Sequence, residues 1–292
     1  MCMKLSVIAN PDKYDVNKPL QNLLKWTEKH STEVYCSEKL SAQLSLDEFT
    51  YLHTVADDER AIDASDIIVA LGGDGTMLYT ARVSKNTRKP ILGINSGRLG
   101  FMANTQQSRL DDALQCLKKG NYRLDKRYMM EACTNNGTTH HALNEFLFSK
   151  KDSASMVLIE AHYNDELVNR YWADGLIAAS PTGSTAYNLS SFGPIVMPET
   201  NVLVLTPINP HTLTTRPLIL PSDKPLKMRV QKQRNEVLFS YDGLVEEIND
   251  YPFHVEIQRS NFTVELIEIP GQSYFDTLRS KLMWGKDFRE HQ

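Results

Sequence analysis

The sequence lacks the signatures of several common protein classes. Its 32 Lys and Arg residues are outnumbered by 36 Asp and Glu residues, which disfavours a nucleic-acid partner because phosphate backbones attract basic surfaces. The 4 cysteines are scattered and form no C-x-x-C pair. Neither a disulfide framework nor a structural zinc site is therefore expected, and the chain fits a reducing cytoplasm. No G-x-S-x-G elbow appears, which disfavours a serine hydrolase.

The sequence also lacks a candidate membrane span and a secretion signal. Residues 175–198 carry no charged side chain, but Pro181, Gly183, Gly193 and Pro194 interrupt the segment, which excludes a transmembrane helix. The N-terminal segment has one Lys and only a short apolar run, so it favours a first strand. We therefore expect no membrane partner and a cytoplasmic location.

What is present first is an alternation of strand and helix signals, which is typical of α/β proteins with a parallel sheet. After about residue 125 most signals are short strands and turns, until a final amphipathic helix at about Ser273–Met283. The sequence thus predicts an α/β N-terminal domain with a Rossmann-like parallel sheet over 1–125 and a mainly β C-terminal domain over 126–271. The C-terminal helix, within 272–292, is expected to return to the first domain.

A hairpin is predicted early in the β region. Asn135-Asn136-Gly137 is typical of a tight turn, with strands expected at Tyr128–Thr134 and Thr138–Phe148. The polar pair Asn144-Glu145 lies inside the second of these otherwise apolar strands. Buried polar groups need partners, which a ribose, an adenine or a neighbouring loop would supply.

A glycine-rich loop, Gly72-Gly73-Asp74-Gly75-Thr76, follows the apolar run Ile67–Leu71 and precedes a predicted helix, Met77–Val83. Ligands bind at this place in open α/β sheets, and glycines let the backbone approach a phosphate. The loop is neither a Walker A nor a G-x-G-x-x-G motif, because it lacks a Lys and has an Asp in its middle. Asp74 is suited to accept a proton, to help hold Mg²⁺ or simply to cap the helix, and the residues alone leave these alternatives open.

A second informative segment runs from Asp174 to Pro198. It predicts a buried strand (Gly175–Ser180), a turn (Pro181–Thr185) and a short helix starting near Ala186. Such a turn presents backbone N–H groups and small hydroxyls to a flat polar molecule, although a tight loop inside a core would have the same composition. The loop Asn95–Phe101 also contains glycines and is equally consistent with a simple turn.

Taken together, these segments resemble the ATP-NAD kinase family in its bacterial form, over most of the chain. The GGDGT loop is also similar to that of diacylglycerol and sphingosine kinases and of some phosphofructokinases, whereas the segment at 173–190 is far more specific. The matching segments are GGDGT at 72–76, GINSGRLGFM at 93–102, NE at 144–145, ADGLIAASPTGSTAYNLS at 173–190, GPIVMP at 193–198 and TPINPHTLTTRPLIL at 206–220.

The resemblance implies transfer of the terminal phosphate of ATP to the 2′-hydroxyl of the adenosine ribose of NAD, with a divalent metal (Mg²⁺ or Mn²⁺). It implies an active site between the domains and a homo-oligomer, a tetramer or a dimer. Asp74 would be the catalytic base, and no residue is assigned to the metal. The implied binding residues are Gly72, Gly73, Gly75 and Thr76 for the donor phosphates, Asn144 and Glu145 for adenosine, and Arg170, Asp174, Ser180, Thr182, Thr185, Ala186, Tyr187, Ser190 and, at the rim, Asp242 for the dinucleotide pocket.

The sequence departs from the family pattern at three positions. Trp172 stands where a basic residue is common, and Arg170, which shares a strand face with it, is the candidate substitute. Phe192 stands where Gly is common, and Asn209 where Cys is common. Two alternatives remain: a lipid kinase with the same loop, which would need an apolar acceptor slot, and a non-catalytic dinucleotide sensor, which would not need Asp74.

Overall fold

The computed structural model describes residues 3–12, 16–44, 46, 49–97, 99–152 and 155–284. The chain forms two compact units, which we call unit 1 (residues 1–126 and 264–292) and unit 2 (residues 127–263). No helix of the described residues is both long and apolar enough to cross a membrane.

The elements follow the order expected from the sequence, with helices between strands in the first part of the chain and strands in most of the second. In chain order they are β1 (Lys4–Ala9), α1 (Asn17–His30), β2 (Glu33–Ser37), α2 (Glu38–Leu44), β3 (Leu52–Val55), α3 (Asp58–Ala64), β4 (Ile67–Leu71), α4 (Asp74–Ser84), β5 (Ile91–Asn95), β6 (Thr105–Gln106), α5 (Leu110–Lys119), β7 (Arg123–Thr134), β8 (Thr139–Ala142), β9 (Glu145–Lys150), β10 (Val157–Tyr163), β11 (Glu166–Ala173), β12 (Gly175–Ala179), α6 (Tyr187–Ser190), β13 (Val202–Ile208), β14 (Leu218–Pro221), β15 (Leu226–Val230), β16 (Val237–Tyr241), β17 (Leu244–Glu247), β18 (Phe253–Glu268) and α7 (Tyr274–Leu282).

Unit 1 is built on a parallel sheet in the order β3-β2-β1-β4-β5. Every residue of β4 and β5 is buried, as expected for strands covered on both faces. The Leu side chains of α1 and α5 are buried in the same core, because side chains three and four residues apart lie on one face of a helix.

The strand order reverses beside β1. The chain runs from β1 outward through β2 to β3 and then returns to place β4 on the other side of β1. Open α/β sheets bind ligands outside the carboxyl ends of the strands at such a reversal. The glycine-rich loop directly follows β4 and therefore lies at this position.

Unit 2 contains two antiparallel arrangements. One sheet has the order β14-β13-β12-β9-β16-β17, and β11, β10, β15 and the first part of β18 pair in that order. Their apolar faces share one core, in which Phe146, Phe148 and Phe239 are fully buried. The α/β and mainly β fold classes predicted for the two parts of the chain are confirmed, whereas the exact domain limits stay a prediction.

The predicted single strand Thr138–Phe148 is wrong. The chain forms β8 beside β7, breaks at Leu143 and Asn144, and continues as β9 between β12 and β16. At the break, the Asn144 N–H donates to the Asp242 carboxylate and the Leu143 carbonyl accepts from the Ser180 hydroxyl, so side chains of distant segments replace part of the strand pairing. The polar pair Asn144-Glu145 thus marks the point where one strand ends and the next begins.

The predicted C-terminal helix is present as α7 and belongs to unit 1. Leu278 is buried, Gln272 donates a hydrogen bond to the Asn104 carbonyl at 3.0 Å, and the Lys281 ammonium lies 4.9 Å from the centre of the Phe101 ring. These contacts attach the end of the chain to the loop after β5. Residues 285–292 of the predicted returning segment lie outside the described residues.

Candidate active site

The glycine-rich loop turns tightly at the end of β4. A Cβ atom at Gly72 would lie 2.2 Å from the Thr76 Oγ1 atom, so only glycine fits this close approach. Gly73 is the N-cap of α4, and Gly75 is exposed. The Thr76 hydroxyl is buried and has no hydrogen-bond partner among the described residues. An unsatisfied hydroxyl beside a helix N-terminus is suited to bind a phosphate oxygen.

Asp74, the first residue of α4, is held by the loop that follows β5. Its carboxylate accepts backbone hydrogen bonds from Phe101 (3.0 Å), Met102 (3.0 Å) and Ala103 (3.2 Å). Asp74 is not the N-cap of α4, because Gly73 holds that position and the Asp74 carboxylate is bound to the loop instead. The alternative in which Asp74 merely caps the helix is therefore wrong.

The loop 95–103 has a function that the sequence reasoning missed. A Cβ atom at Gly100 would lie 2.2 Å from Asp74 Oδ1, so glycine is required where this loop crosses the carboxylate. Asn95 braces the loop by accepting from the Gly97 N–H and donating to the Ala103 carbonyl. Arg98, within the same motif, lies outside the described residues. The loop is a holder for Asp74 rather than a simple turn.

A cleft of about 500 Å³ lies within unit 1 next to the glycine-rich loop. Gly75 and Thr76 line it together with residues that follow β1 and β2. It thus occupies the carboxyl ends of adjacent parallel strands, as the fold predicts. The residues that line it are Ala9, Asn10, Pro11, Asp12, Ser37, Lys39, Leu40, Asp58, Gly75, Thr76 and Tyr79.

In unit 2, Asp242 holds the Asn144-Glu145 segment. Its carboxylate accepts backbone hydrogen bonds from Leu143 (2.7 Å), Asn144 (2.8 Å) and Glu145 (3.3 Å). Asp242 lies in the turn between β16 and β17 at a φ of 46°, followed by Gly243 at a φ of 81°. Asp tolerates this left-handed conformation better than most residues. Asp242 is thus part of the support of the segment and not only a rim residue.

The turn after β12 braces the other side of the same segment. The Ser180 N–H donates to the Asn144 carbonyl at 2.8 Å, and the Ser180 hydroxyl donates to the Leu143 carbonyl at 2.5 Å. A Cβ atom at Gly183 would lie 2.1 Å from the Asn144 carbonyl oxygen. The structure therefore brings three predicted elements, Asn144-Glu145, Ser180 and Asp242, into one cradle.

Glu145 is unusual within this cradle. Burial, and secondarily the nearby Asp242 carboxylate, raise the pKa of Glu145 to about 8. Its Oε2 atom is buried without a hydrogen-bond partner among the described residues. Glu145 is therefore largely a neutral acid at pH 7, which suits it to donate a hydrogen bond to a ligand.

The basic residue beside Asp174 is Lys150 and not Arg170. The Lys150 ammonium lies 2.6 Å from Asp174 and, together with the Asn209 amide, holds the pKa of Asp174 below its usual range. Arg170 does share the exposed face of β11 with Trp172, but its Nε atom pairs with Glu160 at 2.8 Å. That Arg170 replaces the missing basic contact to the dinucleotide stays a prediction. Lys150 had no local sequence signal, because only the β9–β12 pairing brings it to Asp174.

The segment 182–190 forms two short helices around a buried amide. Asn188 donates to the Ser184 and Pro194 carbonyls and accepts from the Thr206 hydroxyl. A Cβ atom at Gly193 would lie 2.0 Å from the Asn188 Oδ1 atom. Asn188 is a structural anchor that the sequence reasoning missed, and it explains why the segment is rich in small residues.

Tyr187 and Ser190 lie on the outer side of this anchor. Tyr187 is 45% exposed, so it is not a core residue. Both line a second cleft of about 500 Å³ in unit 2, beside Asn209 and Arg216. Thr182, by contrast, is buried, and its hydroxyl accepts a hydrogen bond from the buried Arg127 guanidinium. Thr185 and Ala186, which lie between Thr182 and Tyr187 in the chain, are half-buried.

Comparison with known proteins identifies the family. The model described as ATP-NAD kinase N-terminal domain matches residues 5–122, and the model described as ATP-NAD kinase C-terminal domain matches residues 143–269. The NAD kinase of Flavobacterium psychrophilum is 35% identical over 98% of this chain and 100% of its own length. The NAD kinase of Flavobacterium johnsoniae is 40% identical over 78% of this chain and 80% of its own length.

Solved structures agree with the fold. A yeast NADH kinase crystallised with NADH has a TM-score of 0.91 at 21% identity and covers 100% of this chain and 90% of its own. An NAD kinase from Archaeoglobus fulgidus in complex with ATP has a TM-score of 0.72 at 22% identity and covers 96% and 99%. At such identities these two show the fold alone. The family models and the nearly full-length relatives show that this chain belongs to the ATP-NAD kinase family.

Proposed function

We propose that this chain is an NAD kinase that transfers the terminal phosphate of ATP to the 2′-hydroxyl of the adenosine ribose of NAD. Besides family membership, the observation that carries the proposal is the held carboxylate of Asp74. It lies at a helix N-terminus, in a glycine-rich loop whose Thr76 hydroxyl has no hydrogen-bond partner in the described part of the chain. Neither a lipid kinase nor a sensor is favoured by the family assignment.

The donor's phosphates are expected on the loop Gly72–Thr76. Gly73 and Gly75 leave space for a ligand, because a Cβ atom built at either position meets nothing within 4 Å beyond the adjoining backbone. The Thr76 hydroxyl and the N–H groups of the first turn of α4 supply donors for phosphate oxygens. This arrangement stabilises charge that develops on the transferring phosphoryl group.

Asp74 is proposed to receive the proton of the attacking hydroxyl. Among the described residues, its Oδ2 atom accepts one hydrogen bond, from Phe101, so a lone pair is left for the substrate O–H group. The 2′-oxygen forms a bond to the terminal phosphorus, the bond from that phosphorus to the bridging oxygen breaks, and ADP leaves. Because three backbone donors hold the carboxylate in place, little reorganisation is needed on transfer.

The acceptor nucleotide is expected on unit 2. The cradle around Asn144 and Glu145 offers an amide and a neutral acid for the adenosine of NAD. Tyr187 adds an exposed ring for stacking and a hydroxyl for hydrogen bonding, and Ser190 a further hydroxyl. Thr185, Ala186 and Asp174 are the other residues proposed to line the dinucleotide pocket. The ion pair between Lys150 and Asp174 gives this pocket its charged side chains.

A divalent metal is proposed to accompany ATP rather than to occupy a protein cage. Among the described residues no three His, Cys, Asp or Glu side chains converge as a metal site, and the Asp74 carboxylate already accepts three N–H groups. Mg²⁺ commonly binds to substrate phosphates with few protein ligands. Bound in this way, it would supply charge neutralisation on the phosphate chain.

We also propose a cytoplasmic homo-oligomer, a tetramer or a dimer. Exposed apolar side chains on unit 2 support it, including Phe192 at 90% exposure and Leu213 at 86%. The edge strand β14 exposes Leu218 and Ile219, and unprotected edges favour pairing. Sedimentation that found only an active monomer at assay concentration would contradict this assembly.

The activity is tested with purified protein, ATP, Mg²⁺ and NAD, followed by an NADP-specific cycling assay. We expect NADP formation that depends on both substrates. Calorimetric titration with NAD, without ATP, provides a separate binding measurement. Binding of NAD with no NADP above the blank would contradict the kinase proposal and support a dinucleotide sensor.

A further inference from the structure

The cleft beside the glycine-rich loop contains a cation that the loop lacks. Residues 72–76 include no Lys or Arg, although the phosphate chain of a nucleotide donor carries several negative charges. Among the described residues that line the cleft, Lys39 is the basic one. No pattern in the sequence connects position 39 with the glycine-rich loop, so only the fold brings Lys39 to the same cleft.

The topology explains how Lys39 reaches this position. It is the second residue after the carboxyl end of β2, whereas the glycine-rich loop follows β4. In the sheet, β1 lies between them and pairs in parallel with both. The two strand ends are therefore two strand spacings apart, roughly 10 Å, and a phosphate chain can span the space between them.

The charges around the cleft make this cation important. Asp12 and Asp58 also line it, and both carboxylates already accept hydrogen bonds, from Gln43 and Tyr79 respectively. The Lys39 ammonium, in contrast, makes no hydrogen bond or ion pair with the described residues. Without the Lys39 ammonium, the charged side chains of the cleft would all be acidic and would repel an anion.

We propose that Lys39 binds the phosphate chain of the donor in this cleft, together with the unpaired hydroxyl of Thr76. The Thr76 side chain is 6% exposed, lines the same cleft and has no hydrogen-bond partner among the described residues. The Thr76 hydroxyl and the Lys39 ammonium can both donate hydrogen bonds along one cleft, and an oligophosphate carries the negatively charged oxygen atoms that accept them. The inference rests on the proposed kinase function and adds a donor-specific residue outside the glycine-rich loop.

The experiment compares Lys39→Ala with Lys39→Arg and with a control, Lys25→Ala, on the exposed face of α1. For Lys39→Ala we expect the KM for ATP to rise about tenfold, since charge-assisted hydrogen bonds are the stronger ones. The KM for NAD should stay within about twofold, and kcat should change less than the KM for ATP. Lys39→Arg should restore most of the loss because it keeps the charge.

Inorganic tripolyphosphate, used as a competitor of ATP, separates the phosphate chain from the nucleoside. If Lys39 contacts phosphate, Lys39→Ala should weaken inhibition by tripolyphosphate about as much as it weakens the use of ATP. A KM for ATP equal to that of Lys25→Ala, or a loss confined to ATP, would overturn the inference. The kinase proposal fails in a different way, because the unmodified protein would then form no NADP.

Discussion

Two carboxylates in different units of this protein make the same pattern of contacts. Asp74 accepts hydrogen bonds from three consecutive backbone N–H groups, at residues 101–103, and Asp242 does so at residues 143–145. In unit 1 the loop holds the carboxylate, which belongs to the first residue of α4 in the glycine-rich loop. In unit 2 the carboxylate holds the loop, which carries Asn144 and Glu145. One contact pattern therefore fixes a carboxylate in unit 1 and a backbone segment in unit 2.

The largest expected effect that separates them is on turnover. Asp74→Asn should lower kcat by about 10²–10⁴-fold, because an amide cannot accept the proton, while the dissociation constant for NAD changes little. The three N–H contacts predict an additional cost in stability of about 1–3 kcal/mol, since the amide NH₂ would face a backbone donor. Steady-state kinetics, NAD titration and urea unfolding measure the three quantities.

The outcome for Asp74→Asn distinguishes its possible roles. A kcat within a few-fold of the original protein would show that Asp74 only supports the loop at 101–103. Activity restored by excess Mg²⁺ would show that it acts mainly through the metal. A stability loss would accompany any of these outcomes, because the Asp74 carboxylate also accepts the three backbone N–H groups of residues 101–103.

Asp242→Asn should show the opposite balance. The free energy of unfolding should fall by about 1–3 kcal/mol, as in Asp74→Asn. The reason is the same, because three backbone N–H groups then have a single amide oxygen as their acceptor. The KM for NAD should rise several-fold as the cradle loosens, whereas kcat should fall far less than in Asp74→Asn. A drop in kcat as large as that of Asp74→Asn, at unchanged KM, would mean that the two carboxylates do not differ in role.

The next expected effect is a pH dependence of stability, and it comes from Glu145, which lies beside Asp242. The pKa of Glu145 is raised to about 8 from a reference of 4.5, so between these values the folded state keeps a proton that the unfolded state has released. Stability should therefore fall as the pH rises through this window and level off above about 8.

Glu145→Gln removes this dependence because its amide does not titrate. The difference between its unfolding midpoint in urea and that of the original protein should increase from pH 5 to pH 9, because only the original protein loses stability over this range. Glu199→Gln, at an exposed position, should show no such trend. Parallel pH profiles for the original protein and Glu145→Gln would contradict a neutral Glu145.

The smallest expected effect tests the turn that carries Asp242. Gly243 has a φ of 81°, and a Cβ atom built there meets nothing within 4 Å beyond its two chain neighbours. Gly243→Ala should therefore cost only conformational strain, about 1 kcal/mol, and leave the KM for NAD nearly unchanged. If the KM rises as much as in Asp242→Asn, the cradle depends on the shape of the turn and not only on the carboxylate.

Much of the fold was predictable from local patterns. The apolar run Ile67–Leu71, the Leu stripe of α5 and the turn at 135–137 each predict an element that the structure contains, since such periodicities report burial along one strand or helix. The strand break at Leu143 and Asn144 was not predictable. Its cause is the Asp242 carboxylate, about a hundred residues later in the chain, and no local pattern contains that information.

The sequence by itself determined the order of elements, the glycine-rich loop with its central Asp and the resemblance to the family, because short-range spacing and residue type carry these. Only the tertiary structure decided which partners surround each site residue. It placed the loop at 101–103 on Asp74, Lys150 rather than Arg170 beside Asp174, and Lys39 in the cleft of unit 1. These neighbours come from strand pairing and sheet order, which join segments that the sequence keeps far apart.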